Sequence, residues 1–342
     1  MTEPISEEMS PLWYIYNDGF PDFLAELLEA EELQRLKKVG MHCGCEYTCF
    51  AAYRNLAPYT RLTHSLGVGR IVWRFTHDPA QAVAGPLHDI ASPAFAHVID
   101  FLQGDYLAQE STEAHTADII ASSAPIRRIL SGLGLRTAQV SDYHRYPVAD
   151  NAAPRLSADR LEYTLGNAHL VQGAPLEEIA ALYGDLRLAT GEDGQPEPAF
   201  SQLETAEAFT RRALANGYWY VSDEDRFAMQ ALADLLRQAL ASGVLLPGDL
   251  YTTEQAVIGK LEGDPQTRTA WRAYRNLHGL CRHDKRPQGC YCVNIPAKKR
   301  YIDPLVLTAR GPRRVSTLSP AVAGEIRAFL QLDFDRWLTA VL

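Results

Sequence analysis

Apolar residues recur at intervals of three and four along most of this chain, a spacing that is buried by packing helix on helix. In PDFLAELLEAEELQRLKKVG, Phe23, Leu24, Leu27, Leu28 and Leu36 follow it. Pro21 suits a first helical position and Gly40 a closing one, so one helix is expected across the stretch. Thr60 is the expected cap of a second helix, TRLTHSLGVGRIVWRF, which sets His64, Val68 and Ile71 roughly along one face. A third is expected from Asp78-Pro79 to near Asp89, its last turn loosened by Pro86. Others are expected over 94–107, 111–122, 126–130, 156–170 with Ser157 as cap, 203–215, 224–242 and 253–261. ATGEDGQPEPAF, residues 189–200, reads as a loop.

With 342 residues, 46% of them hydrophobic, the chain can bury a real core in one large domain or two smaller ones. No run approaches the eighteen or more apolar residues of a membrane span. MTEPISEEMS is acidic and unlike a secretory signal, so a cytoplasmic protein is expected, its six cysteines reduced or metal-bound. A net charge of -9 argues against indiscriminate nucleic-acid binding. After Gly263 the chain turns basic, carries three cysteines and holds YIDPLVL, a candidate strand. The expected architecture is all-α: a helical body over 1–262 and a small Cys-containing appendage over 263–342 with short β strands.

Three short stretches carry the chemistry. His64 lies four residues into its helix beside Gly67 and Val68. His88 and Asp89 follow the apolar run AVAGPL, and Asp159 opens DRLEYTL. Three helices thereby bring two imidazoles and two carboxylates toward one point. Such a mixed nitrogen and oxygen set suits Mn, Fe, Co, Ni or Zn, with Mg as a further option, and leaves coordination positions for water and substrate.

The order RLTHSLGVGRI, LHDIASPAFAH, ADRLEYTL resembles the HD superfamily of metal-dependent phosphohydrolases, and more narrowly its deoxynucleoside triphosphate triphosphohydrolase branch. The resemblance covers roughly residues 20–262 and implies an HD-domain helical fold. It implies that His64, His88, Asp89 and Asp159 hold the metal. His97, Asp100, Glu113 and His115 would serve catalysis, and Arg61, Arg160 and Tyr163 would bind substrate. The implied reaction is attack of metal-activated water on the phosphorus of a nucleotide ester or anhydride. Members of this family often assemble, so a homo-oligomer is among the implied states. Departures are specific: Ser92 stands where the family has a histidine, Ala91 and Pro93 replace glycines, and Thr112 takes a second histidine's place, with His115 one turn away. They favour an alternative, a nucleotide-binding regulatory protein with little turnover.

Two features invite other readings. Cys281, Cys290 and Cys292 suggest a structural zinc clip, weighed against plain reduced thiols; no pair has the common C-x-x-C spacing. Lys298-Lys299-Arg300 and RGPRR at 310–314 suggest phosphate binding, weighed against a solvated basic face, the favoured reading.

Overall fold

The computed structural model describes residues 11–16, 19, 21–107 and 115–341. The expected mostly helical fold with short strands is observed. Thr60 caps the helix Arg61–Thr76 by accepting the Thr63 N–H at 3.2 Å, and His77 ends it in the left-handed region. Asp78 caps Pro79–Leu87 with Pro79 at the first position. Pro86 is tolerated near the end of that helix, where its ring sits against Gly69. A Cβ on Gly69 would lie 2.7 Å from the Pro86 Cγ, and one on Gly85 would lie 2.9 Å from the Gly69 Cα. Two glycines thus let these helices approach closely. Ser157 caps Ala158–Leu170 as expected.

Several expectations are corrected. The single N-terminal helix is broken into Asp22–Leu27, Glu31–Gln34 and a 3-10 turn, Arg35–Lys38, because Ala30 is extended and buried. That break frees Arg35 to donate to the carbonyls of Ile90, Ser92 and Thr252. The helix expected over 94–107 is only Val98–Gln103, since Phe95 and Ala96 take φ of 62° and 44°. The expected loop at 189–200 falls largely within a hairpin, Leu186–Thr190 against Pro196–Phe200. YIDPLVL does supply a strand: Leu305–Val306 pairs parallel with Ala199 and Phe200, and Arg313–Arg314 joins its other edge. Leu280–His283 and Trp337–Ala340 form a second small sheet.

Buried side chains fall into two cores. One gathers the Arg61–Thr76, Pro79–Leu87, Ala158–Leu170 and Leu203–Tyr220 helices; the other surrounds Asp223–Ala241. Residues on both sides of the 262/263 boundary enter each: Ile302, Val306 and Phe329 the first, Trp271, Tyr274 and Leu338 the second. Among the described residues no helix is long and apolar enough to cross a membrane.

Candidate metal centre

Among the described residues, the group of three or more His, Cys, Asp or Glu side chains able to share an ion is His64, His88 and Asp89, with ligand atoms within 4.8 Å of one another. Asp159 reaches the same point: its Oδ1 lies 3.0 Å from His64 Nε2 and 3.8 Å from His88 Nε2. Asp89 Oδ2 lies 4.0 Å from His64 Nε2 and 3.5 Å from His88 Nε2. All four predicted ligands are therefore brought together, from two helices and the turn after a third.

The other ring nitrogens are already committed. His64 Nδ1 bonds Glu162 Oε2 at 2.6 Å, and His88 Nδ1 bonds the Gly85 carbonyl at 2.5 Å. Each bond makes Nδ1 the donor and leaves the Nε2 lone pair of the neutral ring toward the shared point, the usual support for a metal-binding histidine. Glu162 also accepts from the Tyr59 hydroxyl at 2.5 Å and is fully buried. Sequence reasoning missed Glu162, although its position three residues after Asp159 puts both carboxylates on one face of the helix.

Electrostatics fit a cation here. Burial alone would depress His64, yet its hydrogen bonds to Asp159 and Glu162, with the charges of those carboxylates, push it up to about 10. Burial would raise Asp89, but Arg61, His88 and His64 hold it well below the usual carboxylate range. Asp159 is held at about 2, burial being outweighed by His64, His88 and Arg160. The field that holds a proton on His64 is the field that favours a divalent ion, and the donor set fits a first-row metal or Mg.

The remaining predicted residues divide. Arg61 is buried, with Nη1 donating to both Asp89 oxygens at 3.0 and 2.9 Å, and so fixes a ligand. Ser92 Oγ donates to Asp89 Oδ1 at 2.8 Å. His97 bonds Asp100 Oδ2 through Nδ1 at 2.9 Å, and Asp100 is fully buried behind it. Burial lowers the His97 pKa, and the Arg61 and Arg300 charges add to that against Asp100, so the neutral ring is favoured. Arg160 is tied to Asp150 Oδ1 at 3.1 Å and to the Arg155 and Asn151 carbonyls. His115 is not brought to the cluster: it is exposed at the start of Thr116–Ser122 and packs edge-on against Tyr251 at 4.9 Å. Glu113 and Thr112 lie outside the described residues.

Two chambers open from the centre, and Arg61, His97, Asp159 and Tyr163 line both. One, of about 170 Å³, is walled by Tyr53, Phe101, Trp219, Tyr220 and Met229 with the polar groups of His42, Asn167 and Asp225. The other, of about 500 Å³, contains His88, Asp89, Tyr143, Asp150 and Arg160. Lys298 and Arg300 of the tail line both. The favoured reading of Lys298-Lys299-Arg300 as a merely solvated face is thereby corrected. None of the six cysteines is in a disulfide, and among the described residues Cys281, Cys290 and Cys292 belong to no group of three or more side chains able to share an ion.

No family model matches the chain. It is 28% identical over 240 residues to the uncharacterized protein YdhJ of Bacillus subtilis, covering 70% of each chain. It is 28% identical over 165 residues to the metal-dependent phosphohydrolase cns2 of Cordyceps militaris, spanning 48% of this chain and about half, 46%, of that protein. In fold it is similar to a hypothetical protein from Aquifex aeolicus, with TM-score 0.66, 18% identity and 93% and 92% of the two chains covered. It is also similar to a phosphohydrolase from Bacteroides thetaiotaomicron, with TM-score 0.60, 15% identity and 97% and 95% covered. The chain is thus similar in sequence to a metal-dependent phosphohydrolase and in fold to a phosphohydrolase.

Proposed function

We propose that the chain hydrolyses a phosphate ester or anhydride of a nucleotide at one divalent ion held by His64, His88, Asp89 and Asp159. The observation that carries this is the convergence of those four side chains, with both Nδ1 atoms tied down, between an aromatic chamber and a basic one. A bound ion supplies Lewis-acid polarisation of a phosphoryl oxygen and a water of lowered pKa. The protein's own groups do the rest. Arg61 and Ser92 fix the Asp89 carboxylate, and Glu162 fixes the His64 ring. His97, oriented by Asp100, is placed to hand a proton to or from the reacting oxygens, accepting at Nε2 when neutral and donating when protonated. Tyr163, Trp219 and Tyr220 offer flat faces on which a base or sugar packs and from which water is excluded.

The test is incubation of the metal-loaded protein with Mn²⁺, Mg²⁺ or Co²⁺ and a panel of nucleoside mono-, di- and triphosphates, with release of phosphate, pyrophosphate or triphosphate followed. Triphosphate release would place it with the deoxynucleoside triphosphate triphosphohydrolases. His88→Ala and Asp89→Ala are expected to lose metal and turnover together; a variant without metal that hydrolyses at the wild-type rate would overturn the assignment. Ser92 on Asp89, where the resemblance expects a histidine, and His115 turned toward Tyr251 favour a second reading, a regulatory nucleotide-binding protein. Tight nucleotide binding without release is its signature.

A further inference from the structure

Residues 294–304 run without helix or strand, and their course is fixed at several points. Arg226, only 2% exposed, donates through Nη1 to the carbonyls of Ile295 at 2.9 Å and Phe334 at 3.3 Å, while its Nη2 binds Asp223 Oδ1 at 2.6 Å. Just ahead, Val293 exchanges backbone hydrogen bonds with Leu338 at 2.9 and 2.8 Å. Further on, the Arg300 carbonyl presses on the Leu203–Tyr220 helix where that helix carries Gly217. A Cβ at this position would sit 2.6 Å from the Arg300 oxygen. The Asp303 N–H then closes on the Pro154 carbonyl at 2.8 Å. A strap pinned at these points is held against the cavity it crosses.

Lys299 turns its ammonium to the Leu330 carbonyl at 2.6 Å, over the Phe334 ring. Lys299 also lines the basic chamber, and its neighbours Lys298 and Arg300 line both the aromatic and the basic chamber. The Arg300 charge is felt at His97, Tyr163, Tyr220 and Asp225, in each case favouring the form with one proton fewer. Those four groups all line the aromatic chamber, and His97 and Tyr163 line both, so Arg300 stands at their junction beside the metal centre.

We propose that Arg300 and Lys298, carried in by this strap, bind the substrate's phosphate, with Gly217 and Arg226 as positioning residues that hold the strap in place. The proposal rests on the phosphohydrolase reading and gives it a phosphate subsite outside the three sequence motifs. A guanidinium at the junction of the two chambers, with its planar fork of donors, suits a tetrahedral oxyanion there.

The test is calorimetric titration of the full-length, metal-loaded chain with inorganic phosphate, together with phosphate inhibition of nucleotide turnover. Arg300→Gln is expected to weaken phosphate binding about 10- to 100-fold, the loss of one or two charge-assisted hydrogen bonds, and to leave metal affinity unchanged. Arg300→Lys should recover part of that affinity, and Lys298→Gln should add to the loss. Arg310→Gln removes an exposed charge of the same tail and controls for net charge; it should change phosphate affinity less than about twofold. Gly217→Ala should raise KM more than it lowers kcat. Phosphate binding at wild-type affinity in the folded Arg300→Gln, Lys298→Gln double variant overturns the proposal, as does a wild-type chain that binds no phosphate. A wild-type chain that binds phosphate and loses it in these variants, yet hydrolyses no nucleotide, supports the strap and refutes the hydrolase reading alone. Turnover in the wild type with undiminished phosphate binding in the double variant refutes the strap alone.

Discussion

Glu162→Gln is the sharpest probe of the metal centre, because it removes a charge without removing volume. In the wild type one oxygen, Oε2, accepts from both His64 Nδ1 at 2.6 Å and Tyr59 at 2.5 Å, while Oε1 is buried without a hydrogen-bond partner. A glutamine keeps one acceptor oxygen but presents an amide that donates, so it loses the charge that favours the protonated Nδ1 and sets an NH₂ group in the unpartnered place. Loss of such an outer carboxylate behind a ligating histidine typically costs 10- to 100-fold in metal affinity, or about 1.4–2.7 kcal/mol. Tyr59→Phe removes only the second donor and should cost less. Glu162→Ala strands both donors, at about 1–3 kcal/mol each, and so should damage stability as well as binding. The assay is Mn²⁺ titration of chelator-stripped protein by calorimetry, with thermal unfolding followed by circular dichroism on the same samples. A folded Glu162→Gln protein whose Mn²⁺ Kd stays within about twofold of wild type, well below the expected change, would refute the claim that Glu162 orients a ligand.

Gly67→Ala should act through the same carboxylate: its Cβ would sit 2.5 Å from Glu162 Cγ and 2.7 Å from Oε1, so Glu162 must move. About 1–3 kcal/mol of destabilisation is expected from such overpacking, with metal affinity falling in step, and unchanged unfolding and metal titrations would contradict it. His42 gives a pH signature. Burial holds its imidazole down at about 4 against an ordinary 6.5, so the unfolded chain takes the proton first as pH falls. Stability attributable to it is therefore complete above about 6.5 and declines toward pH 4, by up to roughly 3 kcal/mol, a slope His42→Gln should flatten in urea unfolding across that range. Changing Cys281, Cys290 and Cys292 together to Ser should leave zinc content unaltered by elemental analysis, since among the described residues these thiols belong to no ligand cluster.

The four proposed metal ligands are legible in the sequence because each is placed by a local rule. A capped helix carries His64, the helix ending at Leu87 delivers His88 and Asp89, and Ser157 starts the helix that opens with Asp159. Glu162 is within reach of the same rule, one helical turn beyond Asp159, and Gly67 is its counterpart on the facing helix. Arg300 is not. Its place depends on Arg226, Gly217 and Pro154, which no spacing within the tail encodes, and a Lys-Lys-Arg run has the composition of any solvated face. His115 fails for the converse reason: a position one turn from a motif predicts proximity only if the helix extends that far, and here the helix begins at Thr116.

Fold-level failures have the same origin in tertiary contacts that outweigh local preference. Pro196, Pro198 and the acidic residues around them read as loop, yet Glu197 is almost fully buried in a strand. Arg314 grips both of its oxygens at 2.6 and 2.8 Å, and the Leu156 N–H bonds one of them at 3.0 Å. The break at Phe95 and Ala96 is the more telling case. Left-handed backbone costs an ordinary residue roughly 1–2 kcal/mol, and two in succession would be removed by simply continuing a helix. The surroundings forbid that. The Phe95 ring is sealed in the second core against Gly44, where a Cβ would come within 2.8 Å, and the Ala94 N–H is held by the Leu250 carbonyl at 2.6 Å. The next residue is His97, which this turn delivers onto Asp100 and into both chambers. Local preference therefore yields at the point where a neutral imidazole is held in the same chambers as the proposed metal ligands, and strain held by packing at such a point fits a position that serves what it presents rather than helix formation.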